Sequence, residues 1–227
     1  MPGRRADNSS PGTLPEFAHH SRIHGESIRS KKRREFAMST TPELIPKHLT
    51  TEELESGLDE IRRAPKDQGV LELIVRRPGV NDREVLAEGE LHVDEGLVGD
   101  SWKRRRSKTT PDGSPDPLMQ LNIMSARVIA LVAQVKSRWQ MAGDQLFLDM
   151  DLSPENLPAG TRLALGSAVI EVTPPPHLGC QKFVARFGLD AMRFVNSPLG
   201  RQSNLRGINA KVVQAGVVRV GDVARKI

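Results

Sequence analysis

From residue 50 onward, short apolar runs alternate with polar turns, and their spacing predicts more strand than helix. Thr50 followed by Glu52 and Glu53 opens a short helix over 50–64, with Leu54, Leu58 and Ile61 on one face. "GVLELIVRRPG" and "REVLAEGELHVDEGLVGD" then read as two strands joined by a turn containing Pro-Gly, with partly alternating apolar positions. After the polar segment Ser101 to Pro117 comes the short apolar run "MQLNIM". "SARVIALVAQVKSRW" follows as the clearest helix, capped by Ser125, with Val128, Leu131, Val132 and Val135 along one stripe.

The last third is mainly strand and turn. "TRLALG" and "SAVIEVT" predict a hairpin closing at Gly166-Ser167, and the second strand runs into Pro174-Pro175-Pro176. Proline fixes φ and cannot donate to a sheet ladder, so the strand stops there and a stiff arch follows. "CQKFVARF" has Phe183, Val184 and Phe187 at helical spacing with Gly188 as its stop, which puts Cys180 at a helix N-terminus. "INAKVVQAGVVRVGDVARKI" closes the chain as at least two strands around Ala215-Gly216. With no internal repeat and no strand-helix alternation, the pattern predicts a mainly β, α+β protein: a closed or nearly closed sheet with two or three flanking helices.

Charge changes the picture only at the N-terminus. The 227 residues carry a net charge of +5, but residues 1–37 hold eight Lys/Arg against four Asp/Glu, a net +4, which leaves +1 for the remainder. Residues 1–37 lack apolar periodicity and read as a disordered, solvated basic tail, so nucleic acid is not an expected partner despite the run Lys31 to Arg34. In a bacterial gene, Arg33-Arg34 encoded AGG-AGG would form a ribosome-binding site three codons ahead of Met38, so translation is expected to start at Met38. Neither a secretory signal nor an apolar run of membrane-spanning length is present, so the expected location is the cytoplasm.

The single cysteine excludes an internal disulfide and a multi-cysteine metal site. A helix N-terminus and the nearby cations Lys182 and Arg186 favour a thiolate at Cys180, the form that attacks as a nucleophile or binds a metal. A small buried hydrophobe is the plainer reading of a lone cysteine. His177, three residues ahead, reads as a rim residue, with a thiol–imidazole pair or a metal pair as alternatives.

Four pieces in order, "GLVGD" at 96–100, "AGDQL" at 142–146, "RLALGSAVIEVTPP" leading to Cys180, and "INAKVVQAGVVRVGD", resemble the molybdenum cofactor sulfurase C-terminal (MOSC) domain family over residues 70–227. The chain is similar to a stand-alone member, with 38–69 as a lead-in that contains the short helix. The resemblance implies a MOSC-like β-barrel, with Cys180 as sulfur carrier or as thiolate ligand to molybdenum in a pterin cofactor, molybdopterin. The implied chemistry is oxidoreductase or sulfur transfer. The full sulfurases add a pyridoxal-phosphate domain for which this chain has no room, so pyridoxal phosphate is expected only through a partner. A small-molecule substrate and a redox or sulfur-donor protein are the other implied partners.

Lys103 to Arg106, with Arg104 among them, are candidates to face the phosphate of a pterin or nucleotide cofactor, because clustered guanidinium groups match phosphate oxygens, with a solvated loop as the plainer reading. Asp100, Asn122, His177, Lys182, Arg206 and Asn209 complete the expected cofactor-binding set, while the turn-capping habit of Asp and Asn is the structural alternative for several of them. Two departures stand out: "SWKRRRSKTTPDGSPDPLMQLNIM" replaces the His-Gly-Gly stretch of many members, and Gly179-Cys180 replaces the usual Pro-Cys. The alternative reading is a degenerate, non-catalytic MOSC barrel that binds a small anionic ligand or a protein partner.

Overall fold

A computed structural model describes residues 46–227 of the chain, so the basic stretch 1–37 and the expected start at Met38 lie outside the described residues. Eleven strands and six α-helices are found there. The strands are β1 (Gln68–Arg76), β2 (Glu84–Leu86), β3 (Glu88–His92), β4 (Gly96–Leu97), β5 (Leu121–Ser125), β6 (Leu146–Asp149), β7 (Arg162–Leu165), β8 (Ala168–Val172), β9 (Ile208–Gln214), β10 (Gly216–Arg219) and β11 (Val223–Lys226). The helices are α1 (Thr51–Ser56), α2 (Leu58–Arg62), α3 (Ala126–Ala133), α4 (Gln181–Phe187), α5 (Leu189–Asn196) and α6 (Pro198–Gln202).

Seven strands close on themselves in the order β1-β11-β7-β8-β9-β5-β6 and back to β1, and β2 adds to β1 as an eighth. Every neighbouring pair in the ring is antiparallel except β5 and β6, which are parallel and joined through α3. The fold is thus the strand-rich, closed, MOSC-like barrel expected from the sequence. A small second sheet, β10-β3-β4, packs against β8 and β9.

Strand periodicity divides the apolar side chains between two cores. Leu146 and Leu148 of β6 point into the barrel with Leu71, Leu121, Ile123, Leu163 and Ile170, whereas Phe147 points outward beneath the helices. The outer cluster joins Phe147 to Met124, Ile129, Phe183, Phe187 and Phe194, and Leu54 of the lead-in is buried in it. Full burial of each such side chain is worth about 1.5–3 kcal/mol, so lead-in and barrel stabilise one another. A register shift between Leu71 and Leu73 resets the alternation of β1, so Leu71 and Ile74 face the inner core and Leu73 and Val75 the outer one, which is why its apolar run does not alternate cleanly.

Several sequence expectations are corrected by local chemistry. The helix over 50–64 has the expected capping box between Thr50 and Glu53 but breaks at Gly57 into α1 and α2. The helix over 125–139 ends at Ala133, because Gln134 turns left-handed (φ 64°) and its side chain exchanges hydrogen bonds with the Lys47 backbone; a 3₁₀ segment, Lys136–Ala142, follows. Ser125 makes no capping bond, and its hydroxyl has no partner among the described residues. The expected strand over 83–100 is three short strands. The closing segment forms strands around Ala215-Gly216 as expected, three of them, and β9 and β10 part company there, β9 pairing in the barrel while β10 pairs with β3. Six helices replace two or three because the first is split at Gly57 and because α5 and α6 follow directly after Gly188.

Candidate functional site

A cleft of about 560 Å³ opens where several strands end. β1 delivers Arg77, β5 delivers Asn122, the turn before β6 supplies Gly143, and the approach to β9 brings Arg206. Asp100 follows Gly99, whose φ of +81° is a conformation that L side chains rarely adopt and where a Cβ would also displace the Arg76 side chain; this is the physical content of "GLVGD".

Two buried ion pairs form the floor. Asp100, with a fully buried side chain, accepts from Arg77 Nε (2.9 Å), Arg77 Nη2 (3.0 Å), the Arg77 amide (2.9 Å) and the Trp102 amide (2.9 Å). Arg77 also donates to Asn122 Oδ1 (2.8 Å) and to the Gly143 carbonyl (2.6 Å). Asp144 accepts from Arg206 Nη1 on both oxygens, at 2.9 and 2.8 Å. The Arg206 guanidinium lies 5.0 Å from the centre of the Phe183 ring, and its buried Nε has no partner among the described residues.

Above this floor the charge is not balanced. Arg83 donates to the Gln140 and Asp82 carbonyls, Arg104 to the Pro78 carbonyl, Arg105 to Ser101 Oγ, and Arg186 to the Met141 carbonyl and Asn81 Oδ1. All of these acceptors are neutral. Burial, and then the proximity of Arg186 and Arg77, pushes Arg83 below the ordinary guanidinium range; burial and Arg77 do the same to Arg105. Like charges crowded in a partly desolvated cleft repel one another, and a bound anion relieves the repulsion. Lys182 lines the same wall.

Cys180 also lines this cleft, with an exposed thiol at the N-cap of α4. The proline arch that leads to it is anchored twice. Asn209 donates to the Pro175 carbonyl (2.9 Å), and Asn196 grips Gly179, accepting from its amide (2.8 Å) and donating to its carbonyl (2.9 Å). Proline at 179 would have no N–H for Asn196, and any Cβ there would crowd Val195 and Met192, so glycine fits this packing.

Of the residues singled out in the sequence, Cys180, Arg104, Asn122, Lys182 and Arg206 line the cleft. Asp100 and Asn209 are buried behind it, the first holding Arg77 and the second accepting from Asn122 Nδ2 at 2.7 Å. His177 is not on the rim. Its imidazole is mostly buried, with Nδ1 3.4 Å from Asp144 Oδ1, and burial together with Arg206 pushes its pKa down to about 3. Lys103 turns away to Glu95, and Arg106 lines a neighbouring concavity. Arg77, Arg83 and Asp144 were not foreseen; "AGDQL" contained Asp144, but nothing local to Arg77 or Arg83 announced a role.

The donor set suits a phosphate-bearing anion: fork-shaped guanidinium groups, an ammonium, an orphaned buried Nε and one accessible soft ligand. Among the described residues no group of three His, Cys, Asp or Glu side chains could hold a metal ion.

Fold and cleft together define a closed MOSC-like barrel with a basic, thiol-bearing mouth. Among solved structures the chain is similar to the YuaD protein from Bacillus subtilis, with a TM-score of 0.52 and 17% identity over 69% of this chain and 94% of that one. YiiM from Escherichia coli is also similar, with a TM-score of 0.44 and 17% identity over 70% of this chain and 69% of that one. No family model and no curated protein matches the sequence. At this identity the likeness to YuaD shows the fold alone. Among the described residues no helix is long and apolar enough to cross a membrane.

Proposed function

We propose that the chain is a stand-alone MOSC-family protein whose cleft binds a phosphate-bearing molybdopterin cofactor, with Cys180 as molybdenum thiolate ligand or sulfur carrier. One observation carries the reading: Arg83, Arg104, Arg105 and Arg186, none bonded to a carboxylate among the described residues, share a cleft with one accessible thiol. Arg83, Arg186 and Lys182 would hold the phosphate, and the unpartnered Nε of Arg206 offers a further donor. The bound cofactor would supply a metal able to exchange electrons and oxygen or sulfur atoms with substrate.

Cys180 contributes in one of two ways. As a ligand, Cys180 would give up its proton to solvent and would hold the metal through its thiolate. As a carrier, its thiolate attacks the outer sulfur of a persulfide on a donor protein; a Cys180 persulfide forms and the donor leaves as a thiolate, so atoms and electrons balance. The Asn196 grip on Gly179 fixes the backbone next to the thiol in both cases. Any pyridoxal phosphate would act on that donor protein.

Protein purified from a molybdopterin-producing host is expected to carry molybdenum and a fluorescent pterin. Cys180→Ser should lose the metal, and Arg83→Glu with Arg186→Glu should lose both. Metal-free and pterin-free wild-type protein would overturn the reading. Arginines that bond neutral acceptors in this cleft equally suit a second reading, a non-catalytic barrel that binds a small anion. Phosphate binding that requires Arg83 and Arg186, without molybdenum, would support that alternative.

A further inference from the structure

Beside the basic cleft lies a second concavity of about 330 Å³, and Arg105 and Asn122 line both. Its wall adds Trp102, Arg106 and Lys108. Neither Arg106 nor Lys108 is paired with a carboxylate among the described residues; the adjacent cation, Lys103, is the one that pairs with Glu95.

The concavity is held open by its own bonds. The Trp102 amide donates to Asp100 Oδ1 at 2.9 Å, so the buried carboxylate that fixes Arg77 in the cleft also fixes the backbone of the indole. The Arg105 amide donates to the Trp102 carbonyl at 2.9 Å, which ties the shared cation to the same turn. On the opposite side Thr109 Oγ1 donates to Asp116 Oδ2 at 2.6 Å, and Asp116 caps the 3₁₀ turn Pro117–Met119.

A phosphate in the main cleft makes no use of a half-buried indole next door. An aromatic base does: it stacks on the indole face, its edge meets a side-chain amide, and cations border its phosphates. We infer that the concavity at Trp102 is a base subsite and that cleft and concavity together bind a nucleoside diphosphate moiety, the phosphates meeting Arg105 at the junction. This rests on the reading of the main cleft as an anion site. It departs from that reading in requiring a ligand that carries a nucleotide.

The test uses the full chain and three probes, ADP, pyrophosphate and inorganic phosphate, in titrations followed by calorimetry and by tryptophan fluorescence. Trp139 is buried against Phe147 in the outer core, so a change in emission on base stacking reports Trp102. ADP should bind at least about tenfold more tightly than pyrophosphate, the scale of one aromatic–base stack, and should quench the emission. Trp102→Leu should bring the ratio of the two affinities to about one, and Trp102→Phe should restore part of it. Arg106→Gln, at a position outside both cores, should lower ADP affinity in a protein that remains folded.

Equal affinities in the wild type, or a ratio untouched by Trp102→Leu, would overturn the base subsite while leaving the anion cleft standing. If none of the three probes binds, the anion reading fails and this inference fails with it.

Discussion

Asp100→Asn is isosteric, yet it is expected to be among the most damaging single changes in the domain. The carboxylate takes four donors on two oxygens, three from Arg77 and one from the Trp102 amide. An asparagine has one acceptor oxygen and would turn its own N–H groups toward donors, so two of the four lose their partner. The Arg77 guanidinium, with its side chain 3% exposed, would stay buried without a counter-charge, and Asp100 also offsets the repulsion felt by Arg83 and Arg105.

Removing one partner of a buried pair costs about 3–5 kcal/mol. In a domain of this size that lowers the melting temperature by about 6–20 °C. Urea and thermal unfolding at pH 7 followed by circular dichroism measure it, with Glu72→Gln as control. Glu72 pairs with Lys136 on the surface, where such a bridge is worth about 0–1 kcal/mol. A loss from Asp100→Asn no larger than that of the control would refute the view that Asp100 neutralises the cleft floor.

Two further changes probe other parts of the fold. His177 has a folded pKa of about 3 against an ordinary 6.5, so the unfolded chain binds the proton first and stability falls as pH drops below 6.5. Between pH 7 and pH 5, where most carboxylates remain ionised, the loss should be about 2 kcal/mol, and His177→Asn should flatten the urea midpoint over that window; an unchanged slope would remove His177 as its source. Gly207→Ala places a Cβ 2.1 Å from the Ile123 carbonyl oxygen at a φ of +114°. It should cost at least about 2 kcal/mol by thermal unfolding, and a loss within about 0.5 kcal/mol, the scale of a neutral surface change, would contradict the tight crossing of β5 and the approach to β9.

The sequence determined those features that depend on near neighbours in the chain. Residues at 161–173 specify a hairpin because alternation and a glycine turn are local, and three prolines end β8 because each lacks an N–H. Cys180 was legible as the chemically singular residue at a helix start, and "GLVGD" and "AGDQL" marked the two turns that hold Asp100 and Asp144.

Tertiary structure alone decided where strands separated by long intervals would pair. Nothing local distinguishes β10, which leaves the barrel for β3, from β11, which closes it on β1. The charge of the cleft was invisible for the same reason. Arg77, Arg83, Arg105, Arg186 and Arg206 are scattered over 130 positions, and only the closing of the barrel brings their guanidinium groups to one mouth. Electrostatic energy depends on distance in space, whereas sequence pattern records distance along the chain. A net charge of only +1 beyond residue 37 therefore hid a strongly basic site.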